Sequence, residues 1–438
     1  MAAAGSTVIF LQARIMSTPQ EPRLSPSTGS ISPLPVSVVV PTFKNSRQAA
    51  VWAWLLQRLS RETSSGRFIP EMDGLRFVAI TMVVLFHLNG YLLAKSSSEP
   101  DWLAQIASVG FRGVELFFVI SGFILGLPFA AHYLKNGATV NLRKYYLRRL
   151  TRLEPPYFVT VLLLFVLALW FQGKSGMALY PHVAASLFYL HNLIYGFASP
   201  AIGVAWSLEI EVQFYVLAPF LAIIFAIRER WLRRGFMVVF ILGILSAQSV
   251  FLPQQGRLSL SILAYLQFFL IGFLLADVFL ADWKEGPQAN FYWDIVAIIG
   301  WPLLFIALRE EVLTHWLFPF LVFLLFCAAF RGSWSRQIVS HPLLTIVGGM
   351  CYSIYLIHYE VISALGRLTK GVAAGWPYWA YFLVQFSLIG IAILFVCGVY
   401  FLLLEKPCMS RDWPQRVRSF WPRKAYITSG VSESAAAD

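Results

Sequence analysis

The sequence predicts an all-α, polytopic membrane protein with about ten transmembrane helices and one re-entrant loop. Three observations carry this. Of the 438 residues, 58% are hydrophobic and only 13% are charged, a balance outside the range of ordinary soluble domains. Mean hydropathy is +0.67, and apolar runs of about 20 residues, enough to cross a bilayer as helix, recur almost to the C-terminus. Lys and Arg gather between those runs rather than on one face, so the net charge of +12 reads as orientation in a bilayer. Membrane lipid is therefore an expected partner and nucleic acid is not. A membrane barrel would instead show short alternating segments divided by polar turns.

Taken in order, residues 1–70 are expected to form a cytoplasmic segment. Its Ser/Pro-rich stretch "STPQEPRLSPSTGSISPLP" has too little apolar surface to fold. The piece "TVIFLQA" lacks a basic leader and a small-residue cleavage site, so no cleaved signal peptide is expected, and Met16 is an alternative start. Residues 47–62, with Trp52, Trp54, Leu55, Leu56 and Leu59 among Arg47, Arg58 and Arg61, suit an amphipathic helix on the membrane surface. A membrane domain over 71–408 follows, and then a basic, partly disordered tail over 409–438.

The spans fall near 75–94, 108–130, 155–172, 212–227, 235–252, 259–281, 292–308, 314–330, 343–366 and 377–403. Basic clusters at 44–67, 143–152 and 228–234, at Arg331 with Arg336, and from Lys406 to Lys424 are cytoplasmic by the positive-inside rule. Both termini then lie inside, in a plasma (inner) membrane. Parity leaves room for two crossings between 152 and 228, so 183–211, with His191, Asn192, Gly196 and Pro200, is expected to dip in and return beside a cavity, where irregular backbone is tolerated. Four cysteines without C-x-x-C spacing imply neither a disulfide framework nor a zinc site, and no metal is expected.

Arg76 and His87 stand inside the first span, in "MDGLRFVAITMVVLFHL". Eleven residues at about 100° each bring both to one helix face, about 16 Å apart along the axis. A snorkelling arginine and a hydrogen-bonded core histidine are one reading. The other is function, since hydrocarbon penalises each group by about 2.5–3.5 kcal/mol on insertion scales.

From this span onward the chain resembles the acyltransferase-3 family of integral-membrane acyltransferases. The Arg-x10-His spacing is similar to that family's first span. The likeness continues through "GVELFFVISGFIL" (113–125), "RRLTRLEPPY" (148–157), "WSLEIEVQFYVLAP" (206–219), "CYSIYLIHYEV" (351–361) and "EKP" (405–407). Members often carry two consecutive glutamates before Gln-Phe-Tyr. Here Glu211 aligns with the first, Val212 replaces the second, and Glu209 stands where a small residue is usual.

The resemblance implies transfer of a short acyl group, most often acetyl, from acyl-coenzyme A to a hydroxyl of a sugar, glycolipid or similar acceptor, with no permanently bound cofactor. Such a reaction needs a base, an orienting partner and oxyanion donors. His87 is the expected base, and Glu211 the expected orienting carboxylate, with Arg76 counted beside them as a catalytic candidate; an ion pair of Glu211 with Arg112 or Arg257 is the structural alternative. Arg149, Arg152 and Arg76 are expected to meet the phosphates of the coenzyme, although orientation alone accounts for a basic loop. Ser121, Glu115, Trp206 and His358 are candidates for the substrate cavity. Ser121 also fits small-residue helix packing, and Glu115 also fits pairing with Arg112. Glu405 reads as a helix-end anchor. A secondary transporter using the same buried His, Arg and Glu is the rival reading.

Overall fold

The computed structural model describes residues 57–61, 68–95, 99–171, 175–251, 256–283, 286–307 and 311–410, together with Gly173 and Trp413. The expectations for the Ser/Pro-rich stretch, for Met16, for most of 47–62 and for the tail beyond 410 fall outside the described residues. Within them every regular element is helical. The helices are α1 (Pro70–Leu93), α2 (Trp102–Ser108), α3 (Gly113–Lys135), α4 (Leu142–Phe171), α5 (Gly176–Leu187), α6 (His191–Tyr195), α7 (Trp206–Leu221) and α8 (Arg230–Phe251). There follow α9 (Leu266–Ala281), α10 (Phe291–Ala307), α11 (Glu311–Arg331), α12 (Ser333–Val339), α13 (Pro342–Gly349), α14 (Cys351–Thr369), α15 (Tyr378–Tyr400), a π-turn (Phe401–Glu405) and α16 (Lys406–Met409).

Among the described residues six helical stretches are long and apolar enough to cross a membrane. Two bent pairs, α11–α12 at 90° and α13–α14 at 72°, raise the number to as many as eight if each pair is one span. The sequence count of about ten exceeds this by α9 and α10, apolar helices of 16 and 17 residues. The stretch 183–211 does not run as one helix. Positive φ at Tyr189 and Gly196 breaks it, and the buried Glu209 carboxylate ties the break to α7 by accepting the backbone N–H groups of Asn192 (2.8 Å) and His191. This gives Glu209, unusual at its position, a structural role.

α1 is the shared wall of the bundle. Pro70 opens it at a position where the missing N–H costs nothing, and Glu71 and Asp73 favour its positive end. One side of α1 enters an apolar cluster with α3, α7, α8, α9 and α11, and the other enters a cluster with α4, α14 and α15. Its first turn is interlocked with α12 and α13: a Cβ on Gly74 would fall 1.7 Å from the Val339 carbonyl oxygen, and one on Gly348 would fall 1.7 Å from that of Asp73. Only glycine permits this approach. In α4, the Pro155–Pro156 pair is flanked by carbonyls that accept from elsewhere. Tyr352 donates to Leu153 O (2.9 Å) and Tyr400 to Pro156 O (2.7 Å), tying the arginine-bearing half of α4 to α14 and α15.

Candidate active site

At the basic end of the bundle α1, α3, α4, α7 and the head of α14 enclose a cavity of about 760 Å³. Its lining holds six cationic side chains, Arg61, Arg76, Lys144, Arg148, Arg149 and Arg152, against three carboxylates, Asp73, Glu211 and Glu405. α4 presents Arg149 and Arg152 one turn apart to the same space. Arg149 donates to Tyr145 O (2.9 Å), and its guanidinium lies 3.9 Å from the centre of the Tyr145 ring. Asp73 Oδ1 accepts from Arg76, one turn ahead of it, and from Arg61 (2.9 Å). The Nε atoms of Arg61, Arg149 and Arg152 are buried without a hydrogen-bond partner among the described residues. A buried, unsatisfied donor on a cation is expensive, and an anion with several oxygens would relieve it.

Ser121 and Glu211 meet in this cavity, Ser121 Oγ donating to Glu211 Oε1. Tyr215 donates to the same carboxylate. The small-residue packing expected near Ser121 belongs to its neighbour, because a Cβ on Gly122 would fall 2.2 Å from Phe269 O of α9. Glu405, turned inward by the π-turn, accepts from Ser353 N (3.0 Å) and Oγ (2.6 Å) and so caps the start of α14.

His87 lies further along α1, outside the cavity lining, and its partner is another imidazole. His358 Nδ1 stands 2.9 Å from Ile354 O and 3.0 Å from Tyr355 O. Carbonyls only accept, so this nitrogen carries the proton and Nε2 is left as an acceptor. That Nε2 is 3.1 Å from His87 Nδ1, which is also 3.0 Å from Val83 O. His87 therefore bears its proton on Nδ1 and keeps Nε2 as a free base, an assignment fixed by the network. Phe86 and Tyr359 hold the ring edge-on, with centroids 5.2 and 5.5 Å away. His358 itself is fully buried.

The structure thus gathers Arg76, Arg149, Arg152, Glu211 and Ser121 at one place, and His87 with His358 at another. Tyr355, one turn before His358, lines the cavity from the side of the histidines; it donates to Val204 O and accepts from Ser207 Oγ (2.8 Å). No hydrogen bond joins Glu211 to His87 among the described residues. Glu115 accepts from Arg112 Nη1 (2.6 Å) away from the cavity lining, and the Trp206 ring packs on Tyr265, centroids 5.7 Å apart. Sequence reasoning did not single out Asp73, Tyr145, Tyr215 or Arg61 as site residues. The i,i+3 spacing of Asp73 and Arg76 was a usable signal for the first; nothing local marked the others.

No solved structure gives a significant match to the chain. Relatives include the O-acetyltransferase OatA of Staphylococcus aureus strain NCTC 8325 / PS 47 and that of strain COL, each 27% identical over 326 residues, 68% of this chain and 51% of the relative. The chain spans about half the length of the curated relatives it matches. A family model described as an acyltransferase domain, that of the acyltransferase-3 family, covers residues 69–402. With its apolar helices and that match over most of its length, the chain belongs to the acyltransferase-3 family of integral-membrane acyltransferases.

Proposed function

We propose that the protein is a membrane O-acetyltransferase that moves an acetyl group from acetyl-coenzyme A to a hydroxyl of a sugar, glycolipid or similar acceptor. It would sit in the plasma membrane with both termini in the cytoplasm, so that the cationic cavity opens to the side where the coenzyme resides. The observation that carries this reading is the pairing along α1. A cavity rich in guanidinium groups sits at one end, and about 16 Å further along the same helix face sits an imidazole with a free Nε2. A coenzyme thioester has the same layout, phosphates at one end and the reacting carbon at the tip of a long arm.

In this reading Arg76, Arg149 and Arg152 hold the phosphates, and His87 Nε2 takes the acceptor hydroxyl proton as the oxygen attacks the thioester carbonyl. The carbon–sulfur bond then breaks, and the imidazolium returns its proton to the departing thiolate. His358, rather than Glu211, fixes the His87 tautomer in the manner of an orienting third group. Glu211 and Ser121 work at the donor end, beside Arg76 and Arg149. The 27% identity to O-acetyltransferases supports the choice of acyl group.

The test uses purified protein in nanodiscs with radiolabelled acetyl-coenzyme A and an extract of membrane glycans. Wild type is expected to release coenzyme A and label a hydroxyl-bearing product. His87→Ala is expected to lose both while retaining donor binding. Unchanged turnover in that variant removes His87 from the reaction.

A further inference from the structure

We propose that Arg61, which precedes the matched family domain, is a donor-binding residue and holds a phosphate of the acyl donor alongside Arg76, Arg149 and Arg152. The inference rests on the coenzyme reading above. The family match begins at residue 69, so no feature of that domain accounts for Arg61, yet the residue is built into the cavity wall. Lys406, the middle residue of the closing Glu-x-Pro, donates to the carbonyls of Gln57 (3.2 Å) and Arg58. Leu59 packs against the apolar cluster of α4, α14 and α15. Arg61 itself reaches Asp73 Oδ1 at 2.9 Å, and its Cβ sits where a side chain on Gly349 would meet it at 3.3 Å. Residues 57–61 thus form a strap across the first turn of α1 and the α13–α14 junction.

Three features make Arg61 more than a brace. Asp73 is one carboxylate shared by two guanidinium groups, so a positive charge is left over. Burial, and after it the neighbouring Arg76 and Arg152, press the Arg61 pKa down to about 9 against the pull of Asp73, as befits a cation short of counter-charge. Its Nε is a buried donor without a partner among the described residues, as are those of Arg149 and Arg152 facing the same space. The three carboxylates of the lining, Asp73, Glu211 and Glu405, cannot balance its six cations. A diphosphate or a sugar phosphate can, and coenzyme A carries both.

The experiment titrates coenzyme A and, separately, inorganic pyrophosphate into the full-length protein by calorimetry, with steady-state kinetics on acetyl-coenzyme A. R61Q is expected to raise the Kd for both ligands and the KM for acetyl-coenzyme A roughly tenfold, the effect of one charge-assisted hydrogen bond, with kcat within about twofold of wild type. R61K, which keeps the charge and loses the fork, is expected to fall between. K406M, which releases the strap without touching the cavity lining, is expected to shift KM in the same direction and less. These two variants carry the test if R61Q does not fold. If R61Q binds both ligands as wild type does, Arg61 is only a brace and the proposal is overturned, while the coenzyme reading stands. If wild type binds pyrophosphate but not coenzyme A, and R61Q loses the pyrophosphate, the anion site stands and the coenzyme reading falls. If wild type binds neither, both fall.

Discussion

The two ends of α1 solve opposite electrostatic problems on one helix. At Arg76 the chain concentrates cations around Asp73, Glu211 and Glu405 and, among the described residues, leaves guanidinium donors unsatisfied. At His87 it gathers no counter-charge: two imidazoles share a contact, the Nδ1 atom of each faces carbonyls of its own helix, and His87 Nε2 is left open. Under the proposed reading, a site for a polyanion has to stay short of counter-charge until the ligand arrives, whereas a base at membrane depth has to stay neutral and correctly protonated. One helix accommodates both because 11 residues separate them, enough to put about three turns of apolar side chains in between.

Substitutions that affect one end and spare the other test this division. The largest effect is expected from His87→Ala, a loss of about 10²–10⁴ in kcat with the donor Kd unchanged, read by calorimetry beside turnover. A matching loss of donor affinity would erase the boundary between the two ends. His358→Phe, which keeps the ring and removes the Nε2 acceptor, is expected to lower kcat by roughly ten- to a hundredfold at constant KM for acetyl-coenzyme A. Full activity there would show that Val83 O alone fixes the His87 tautomer. Arg152→Gln is expected to do the reverse, raising that KM about tenfold and leaving kcat alone; a fall in kcat without a change in KM would move Arg152 out of the donor site. The smallest effect belongs to neither end. Glu209→Gln removes the charged acceptor of two backbone N–H groups and is expected to lower stability by about 1–3 kcal/mol in a detergent-unfolding titration, with KM unaltered.

Much of this was legible in the sequence because it depends on local pattern. Apolar runs gave the helices, and the Arg-x10-His spacing put two groups on one face. The three-residue step from Arg149 to Arg152 put both in the cavity. The partner of His87 was harder to read. Glu211 was the natural orienting group by charge, but its place depends on where the break at 189–205 delivers the start of α7, and a positive φ at Tyr189 has no signature in residue type. His358 was visible only as a motif histidine; the contact with His87 depends on how the bend at Met350 aligns α14 beside α1. Arg61 lay in a segment whose apolar and basic residues suggested a membrane surface. The contacts of Lys406 with the carbonyls of Gln57 and Arg58, 349 and 348 positions away in the chain, were needed to draw that segment inward.

The glycine interlock of α1 with α12 and α13 has a mechanical meaning. Backbones that touch at Gly74 and Gly348 cannot slide or part without losing contact along a whole turn, so that side of the vestibule behaves as a fixed jamb. Any widening of this cavity for a bulky ligand has to come from the opposite side, where α4 turns half its length outward and is held by tyrosine hydroxyls that can let go one at a time.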